Sequence, residues 1–409
     1  MTGFLLAVVL PVLVRYGGEP GTPAFGSAWN TIAGTAFALV LGNTLLREVT
    51  RFPGIRAAGY VMPCFAATYG FVLVAFFIFR LDYARSLFVL SFAICIVWFF
   101  AGMASARQTA RPAFAVVPIG DVRRLLSLPA REIVVLEEPA PPRSPVDGLV
   151  ADFRADLPPA WESFIADWVL QGRPAYHVKH AAEMLTGRVE IEHLSENSFG
   201  SLDPGGGYRK VKAVVDVLAA AALMPFFLVL AAVVGIAIRL DSKGPVFFRQ
   251  QRVGYRGRVF TVFKFRTMID GKTMAEQASP DGARTAAMTT NADPRITRLG
   301  RLLRRSRIDE IPQLLNVLRG EMSWIGPRPE ALPLSRWYEG ELPFYRYRHV
   351  VRPGITGWAQ VNQGHVVEMH DVLGKLHYDF YYIKYFSPWL DMFISLRTIW
   401  IMMRGRGAR

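Results

Sequence analysis

The chain has 409 residues, of which 52% are hydrophobic and 20% charged, with a mean hydropathy of +0.23. That balance excludes disorder, collagen and coiled coil, and it favours an integral membrane protein. The formal net charge of +14 implies an anionic partner such as phosphate groups, nucleotides or acidic lipid headgroups. Cys64 and Cys95 both lie inside apolar runs, which leaves neither a disulfide framework nor a cysteine zinc site.

Charge-free stretches at residues 1–14, 20–46, 57–79 and 86–106 predict a four-helix transmembrane bundle over residues 1–110, because about 20 apolar residues cross the hydrocarbon core. The first stretch is short, but without a basic n-region or a small-residue cleavage site it reads as a span and not a signal peptide. Arg47, Arg51 and Arg56 follow the second span and Arg107 and Arg111 the fourth, while the other two loops hold Arg15, Arg80 and Arg85. The bias places both ends of the bundle in the cytoplasm.

Over residues 111–202 the pattern changes to short apolar strands at 114–119, 132–136 and 148–153, with a helix-like stretch at 161–171. This predicts a small α/β, Rossmann-like accessory domain with a parallel sheet. Pro118-Ile119-Gly120-Asp121 offers no G-x-G-x-x-G turn, so a structural or oligomerising role is expected in place of dinucleotide binding. Residues 203–207, Asp-Pro-Gly-Gly-Gly, read as a linker. His177 with His180 and His365 with His370 lack a further ligand at helical spacing, and no zinc site is expected.

Residues 203–409 read as the catalytic domain. An apolar run at 217–238 is long enough to cross a membrane, yet Arg209, Lys210 and Lys212 precede it and Arg239 and Lys243 follow it. Pro225 interrupts its hydrogen bonding. A re-entrant membrane helix over 211–239, entering and leaving by one leaflet, satisfies both flanks. A hairpin follows, with apolar residues 246–248, a turn at Gly254 and Gly257, and an alternating strand at 259–265 that places Lys264 and Arg266 on one face. Arg295, Arg298, Arg301 and Arg305 form a helical stripe suited to water or lipid headgroups. No exposed aromatics interleave with it, so nucleic acid is not expected as a partner. Residues 387–403 read as helix in the membrane interface, with core packing as the alternative.

The most informative segment is Arg304-Arg305-Ser306-Arg307-Ile308-Asp309-Glu310-Ile311-Pro312-Gln313-Leu314-Leu315-Asn316. Asp309 suits a helix N-cap, with Pro312 in the first turn. That predicts two adjacent carboxylates at a positive helix end, able to serve different partners, one as nucleophile or metal ligand and the other as acid/base. Gly326-Pro327-Arg328-Pro329-Glu330 sets an arginine between two prolines, a stiff mount for a phosphate-binding guanidinium. Arg352-Pro353-Gly354 repeats the device.

Taken together, six ordered motifs within residues 208–403 resemble the bacterial sugar transferase family, the monotopic phosphoglycosyl transferases. They are Gly244-Pro245-Val246-Phe247-Phe248, Lys264-Phe265-Arg266-Thr267-Met268, the Asp309-Glu310 dyad with its Pro312-Gln313-Leu314-Leu315-Asn316 tail, Gly326-Pro327-Arg328-Pro329, the run from Arg352 to Asn362, and Tyr378-Asp379-Phe380-Tyr381-Tyr382. The bundle and the middle domain resemble the large polyisoprenyl-phosphate hexose-1-phosphate transferase branch.

The resemblance implies transfer of a sugar-1-phosphate from a UDP-sugar to undecaprenyl phosphate with release of UMP and with Mg2+. This is the priming step of exopolysaccharide, capsule or O-antigen synthesis at the bacterial inner membrane, with the catalytic domain on the cytoplasmic face. It further implies that Asp309 forms a covalent phosphosugar intermediate beside Glu310, that Asp309 holds the metal, and that Lys264, Arg266, Arg304, Arg328, Arg352, Gln360 and Asp379 bind substrate. Glucose or galactose is the sugar expected at family level, and a homodimer stays open. Two positions depart from the family pattern, Met224 before Pro225 and Arg307 two before Asp309. A catalytically silent membrane scaffold is the rival reading, and the intact dyad with its basic cluster speaks against it.

Overall fold

The computed structural model describes residues 5–16, 25–50, 58–105, 113–128, 130, 132–189, 206–269, 295–363 and 369–403. The chain divides into two compact units, Met1–Gly187 and Arg188–Arg409.

In the first unit a π-helical turn, Leu5–Val9, runs into α1 (Leu10–Tyr16), followed by α2 (Phe25–Thr50), α3 (Ala58–Ile78) and α4 (Arg85–Ser105). These coincide with the four apolar stretches. Among the described residues of this unit, α3 and α4 are long and apolar enough to cross a membrane. The longer α2 carries Asn30 and Asn43, and Asn30 donates its amide to the Asp82 carbonyl at 3.0 Å.

The α/β part has β1 (Ala113–Val116), α5 (Arg123–Leu126), β2 (Glu132–Val135), β3 (Gly148–Ala151), α6 (Pro159–Leu170), β4 (Ala175–His177) and α7 (Val178–Thr186). All four strands are parallel, in the order β2-β1-β3-β4. Successive side chains of β1 and β3 point to opposite faces, so Phe114, Val116 and Val150 join Ala181 and Leu185 of α7, while Ala115 and Leu149 join Trp161 and Trp168 of α6.

Open α/β sheets bind ligands beyond the carboxyl ends of their strands. Here that place is filled from within. The Asp152 carboxylate accepts the backbone N–H groups of Asp121 at 3.0 Å and Arg154 at 3.1 Å, and a Cβ on Gly120, whose φ is +84°, would lie 2.5 Å from it.

The second unit opens with α8 (Gly206–Asp241), then β5 (Phe247–Val253), β6 (Val259–Phe265) and α9 (Arg298–Arg305). A 3-10 helix (Ile308–Gln313), α10 (Leu314–Leu318) and β7 (Ser323–Ile325) follow. After α11 (Leu332–Glu341) and a second 3-10 helix (Tyr345–Val350) come β8 (Gly354–Thr356), α12 (Trp358–Asn362), α13 (Met369–Lys384) and α14 (Pro388–Met403). β5 and β6 form the expected antiparallel hairpin, and β7 pairs in parallel with β8. In the expected linker, residues 203–205 lie outside the described residues, and Gly206 already begins α8.

α8 is a single element through Pro225, and at about 1.5 Å per residue its 36 residues would reach about 54 Å if straight. One side is buried along nearly all of it, at Lys212, Asp216, Ala220, Phe227, Val234 and Ile238, in steps of four and seven residues. Near its start Lys212 pairs with Asp391 of α14 at 2.8 Å, and the Asp216 carbonyl accepts the Trp324 indole at 3.1 Å. At its end Arg266 donates to the carbonyls of Ser242 at 2.7 Å and Lys243 at 2.9 Å. Ala220, Phe227, Val234 and Ile238 share one core with Phe260, Phe265, Leu303 and Leu314. The opposite side exposes Leu218, Phe226, Val229, Val233 and Ile236. In α14, Leu390, Phe393 and Ile394 are fully buried while Ile399 and Met402 are exposed, so the segment packs on the core and also leaves an apolar end outside.

Candidate active site

The dyad sits in the 3-10 helix Ile308–Gln313, not at the N-cap of an α-helix as its sequence suggests. Arg307 occupies the position before the helix, in the left-handed conformation with φ +55° and without a side-chain capping bond. Its N–H reaches back to Arg304 O at 3.1 Å, and its carbonyl accepts Glu310 N–H at 3.2 Å, so the chain turns in three-residue steps. Residues three apart eclipse in a 3-10 helix. Ile308 and Ile311 therefore share one side and pack against the core, while Asp309 and Glu310 take other directions and are both buried.

Glu310 is the most heavily engaged carboxylate of the site. Its Oε1 accepts from Arg328 Nη2 at 2.7 Å and Lys264 Nζ at 3.0 Å, and its Oε2 lies 3.4 Å from Arg307 Nη1. Burial alone would push this carboxyl up, but the Arg328 and Lys264 charges together outweigh it and hold the group well below the usual range. Lys264 is pulled down to about 8 by burial, with Glu310 opposing the shift.

Asp309 behaves in the opposite way. Among the described residues no hydrogen bond or ion pair reaches its carboxylate, and burial first, then the Glu310 charge, raise it above the ordinary aspartate range. Lys264, Arg328 and Arg304 oppose the rise only through space. The two neighbours are thus set apart by environment: Glu310 is a paired anion, and Asp309 a less stabilised one that holds a proton more readily.

β6 carries Lys264 to the dyad, and Asn316 fixes β6. Its Oδ1 accepts Phe263 N–H at 3.2 Å and its Nδ2 donates to Thr261 O at 2.7 Å, as a neighbouring strand would, and the side chain is completely buried. The loop holding Arg328 is packed as tightly. A Cβ on Gly326 would collide with the Arg352 carbonyl, and one on Gly354 with Gly326 N, so the β7–β8 crossing needs glycine at both places.

Of the other expected substrate-binding residues, Arg304 lies near enough for its charge to act on Asp309 while its Nε donates to Thr267 Oγ1 at 3.0 Å. Arg266 caps the end of α8. Arg352 directs Nη2 to 3.8 Å from the place of a Gly320 Cβ, at the negative end of α10. Gln360 donates to Ile355 O at 3.0 Å. Asp379 is 1% exposed and accepts Arg348 Nη2 at 2.8 Å. The fold therefore gathers Lys264, Arg304 and Arg328 round the dyad and places Arg266, Arg352, Gln360 and Asp379 in supporting positions. The sequence marks Arg307 as a departure from the family pattern and Asn316 as part of the dyad motif, without a role for either, and it does not mark Arg348 at all. Arg307 gives no sign of a left-handed conformation, and the partners of Asn316 and Arg348 lie far away in the chain.

The donor set suits magnesium in a limited way. Among the described residues no group of three or more His, Cys, Asp or Glu forms a metal cluster. Mg2+ is commonly held by one or two carboxylates plus substrate phosphates, and the Asp309 carboxylate, with no hydrogen bond or ion pair from the described residues, supplies one such ligand.

A buried carboxylate, a paired neighbour and several cations form a setting suited to phosphate groups, and the relatives of this chain carry matching names. A protein of Aeromonas hydrophila named UDP-N-acetylgalactosamine-undecaprenyl-phosphate N-acetylgalactosaminephosphotransferase is 40% identical over 412 residues, covering 100% of this chain and 94% of its own length. A UDP-glucose:undecaprenyl-phosphate glucose-1-phosphate transferase of Xanthomonas campestris pv. campestris is 42% identical over 224 residues, 54% of this chain and 44% of that protein. One of the same name from Escherichia coli (strain K12) is 36% identical over 196 residues, 47% of this chain and 40% of that protein. Residues 207–405, which include α8 from its second residue and the whole site, match the family described as Bacterial sugar transferase. With a relative aligned along almost its full length as well, this chain belongs to the bacterial sugar transferase family and is an enzyme of that kind.

Proposed function

We propose that the enzyme transfers a sugar-1-phosphate from a UDP-sugar to undecaprenyl phosphate in two displacements at Asp309. The observation that carries this reading is the contrast within the dyad, with Glu310 held by Arg328 and Lys264 and Asp309 raised and without a hydrogen bond from the described residues. In the first step an Asp309 carboxylate oxygen attacks the β-phosphorus of the donor, the bond from that phosphorus to the bridging oxygen breaks, and UMP departs with the electron pair. In the second, an oxygen of the lipid phosphate attacks the same phosphorus and Asp309 leaves as carboxylate. Phosphoryl transfer depends mainly on positioning and charge neutralisation, which Arg328, Lys264 and Arg304 supply. Magnesium, when bound through Asp309 and donor phosphate oxygens, would neutralise charge on those oxygens.

A covalent intermediate lets a water-soluble donor and a lipid acceptor use one site in turn. The one-sided burial of α8 supports a helix that dips into one leaflet, since a single body packs against both its ends, and the basic flanks Arg209, Lys210, Arg239 and Lys243 support placing that body on the cytoplasmic face. The exposed apolar side would meet lipid, and Arg239 and Lys243 at its end suit a lipid phosphate. N-acetylgalactosamine is the first sugar to test, because the relative matched along the whole chain is named for it, with glucose and galactose beside it. UMP release from UDP-sugars, with and without undecaprenyl phosphate, tests the reading. Acceptor-dependent UMP release with at least one donor is expected, and its absence with every donor would refute the proposal.

A further inference from the structure

Four consecutive carbonyls of the loop that carries Arg328 are each held from outside the loop. Pro327 O accepts Gly354 N–H at 3.0 Å, Arg328 O accepts Arg348 Nη2 at 2.8 Å, Pro329 O accepts Arg252 Nη1, and Glu330 O accepts Val253 N–H at 3.3 Å. Two of the four donors are guanidiniums, and burying a charge to satisfy one backbone carbonyl is an expensive choice where an N–H or a water would serve. Arg348 is 3% exposed and is neutralised by Asp379 at 2.8 Å, while its Nη1 donates to Tyr345 Oη at 2.6 Å. Arg252 is steadied by Gln250 Oε1, which accepts its Nε at 3.1 Å and its Nη2 at 2.8 Å. Prolines at 327 and 329 fix φ on either side. On this held backbone the Arg328 side chain ends 2.7 Å from Glu310.

We infer that Arg252 and Arg348 are positioning residues that act on the transfer reaction through Arg328, with Asp379 as the counter-charge that keeps Arg348 in place. The inference rests on the reading of Arg328 as a cation for the transferring phosphate. It explains why an aspartate that resembles a family active-site position is sealed from solvent: Asp379 reaches the site through one guanidinium and one carbonyl. A role confined to core packing predicts something different. Packing contributes to stability, and its loss multiplies with a defect at Arg328. Positioning acts only through Arg328, and its loss disappears once Arg328 is already impaired.

The test is a double-mutant cycle on the full chain in lipid nanodiscs, with UMP release from the active UDP-sugar giving kcat and KM and a melting curve checking the fold. Arg252→Gln and the paired change Arg348→Gln with Asp379→Asn, which leaves no buried charge alone, should each lower kcat/KM by about ten- to a hundredfold, the scale of an ångström-level misplacement. Arg252→Lys, which keeps one donor, should recover part of that loss. In an Arg328→Lys background the further loss from Arg252→Gln should be less than about twofold. Wild-type kcat/KM in folded Arg252→Gln, or an undiminished loss in the Arg328→Lys background, would overturn the inference. If the paired change does not fold, the Arg252 series decides alone. Full activity of Arg328→Lys would instead overturn the reading of Arg328, and the inference with it.

Discussion

Replacing Glu310 with glutamine removes one negative charge from a site where Arg328 Nη2 and Lys264 Nζ both bind the same oxygen, at 2.7 and 3.0 Å. The glutamine has nearly the same shape, so the perturbation is electrostatic. Two cations with side chains only 20% and 15% exposed lose their counter-charge, and breaking a buried pair from one side costs about 3–5 kcal/mol. Lys264 can relieve part of this. Its ammonium titrates at about 8 with Glu310 opposing the downward shift, so without that charge it should lose its proton at neutral pH. Arg328 has no such escape. A cost of that size lowers the melting midpoint of a unit this large by about 6–20 °C. Because Glu310 is depressed in the folded state, its contribution is present above the ordinary glutamate range and is lost as pH falls through the folded value. The gap in melting midpoint between wild type and Glu310→Gln should therefore close in acid. Scanning calorimetry or nanodisc fluorimetry from about pH 7 down to about pH 2, on the order of one scan per pH unit, would measure it. A variant that melts with wild type at neutral pH would refute the claim that Glu310 anchors the two cations.

Asp309→Asn should abolish transfer yet raise the melting midpoint at neutral pH. A carboxyl raised by burial favours the folded state below its folded pKa, and that advantage is lost as pH rises, so the neutral amide removes the loss. A lower midpoint for the variant would contradict the account. Wild type given radiolabelled UDP-sugar without acceptor should carry label on the protein and Asp309→Asn should not; unlabelled but competent wild type would point to direct attack by the lipid phosphate. Cysteines placed at Lys210 and Lys243 should both react with an impermeant reagent from the cytoplasmic side, and periplasmic reaction at Lys243 alone would rule out the single-leaflet helix. Asn316→Ala should destabilise by about 1–3 kcal/mol by stranding the Phe263 N–H and Thr261 carbonyl, visible as faster amide exchange along β6; unchanged exchange would show that the strand needs no such support.

What was legible in the sequence was local. The β5–β6 hairpin follows from period-two alternation around Gly254 and Gly257, and the parallel strands β1 to β3 from short apolar runs. β4 escaped because Ala175-Tyr176-His177 is too short and mixed to read as a strand. The dyad stood out as adjacent acids in a basic segment, but its 3-10 geometry depends on Arg307 turning left-handed, which nothing in the residue type foretells. Alternation puts Lys264 and Arg266 on one face, yet the strand ends at Phe265 and Arg266 turns to the end of α8. Asp379 and Arg348 lie 31 positions apart in the chain and meet only because α13 packs on the 3-10 helix Tyr345–Val350. Pairings of that kind are set by tertiary packing, for which a single sequence carries no local sign.

The sharing of one core by α8 and the hairpin has a practical consequence for anyone seeking a water-soluble form of this enzyme. Phe227, Val234 and Ile238 are as much part of the interior as Phe265 or Leu314, and each such side chain contributes about 1.5–3 kcal/mol by its burial. Trimming the helix would therefore open the floor beneath the dyad instead of detaching an anchor. Solubilisation has to proceed from the other side, by exchanging outward residues such as Phe226, Val229 and Val233 for polar ones while the inward row is left untouched. With the apolar spans α3 and α4 removed as well, an enzyme rebuilt in that way would keep its chemistry and lose its address, which would separate the two parts that the lipid surface plays in the reaction, as a solvent for the acceptor and as a wall of the protein.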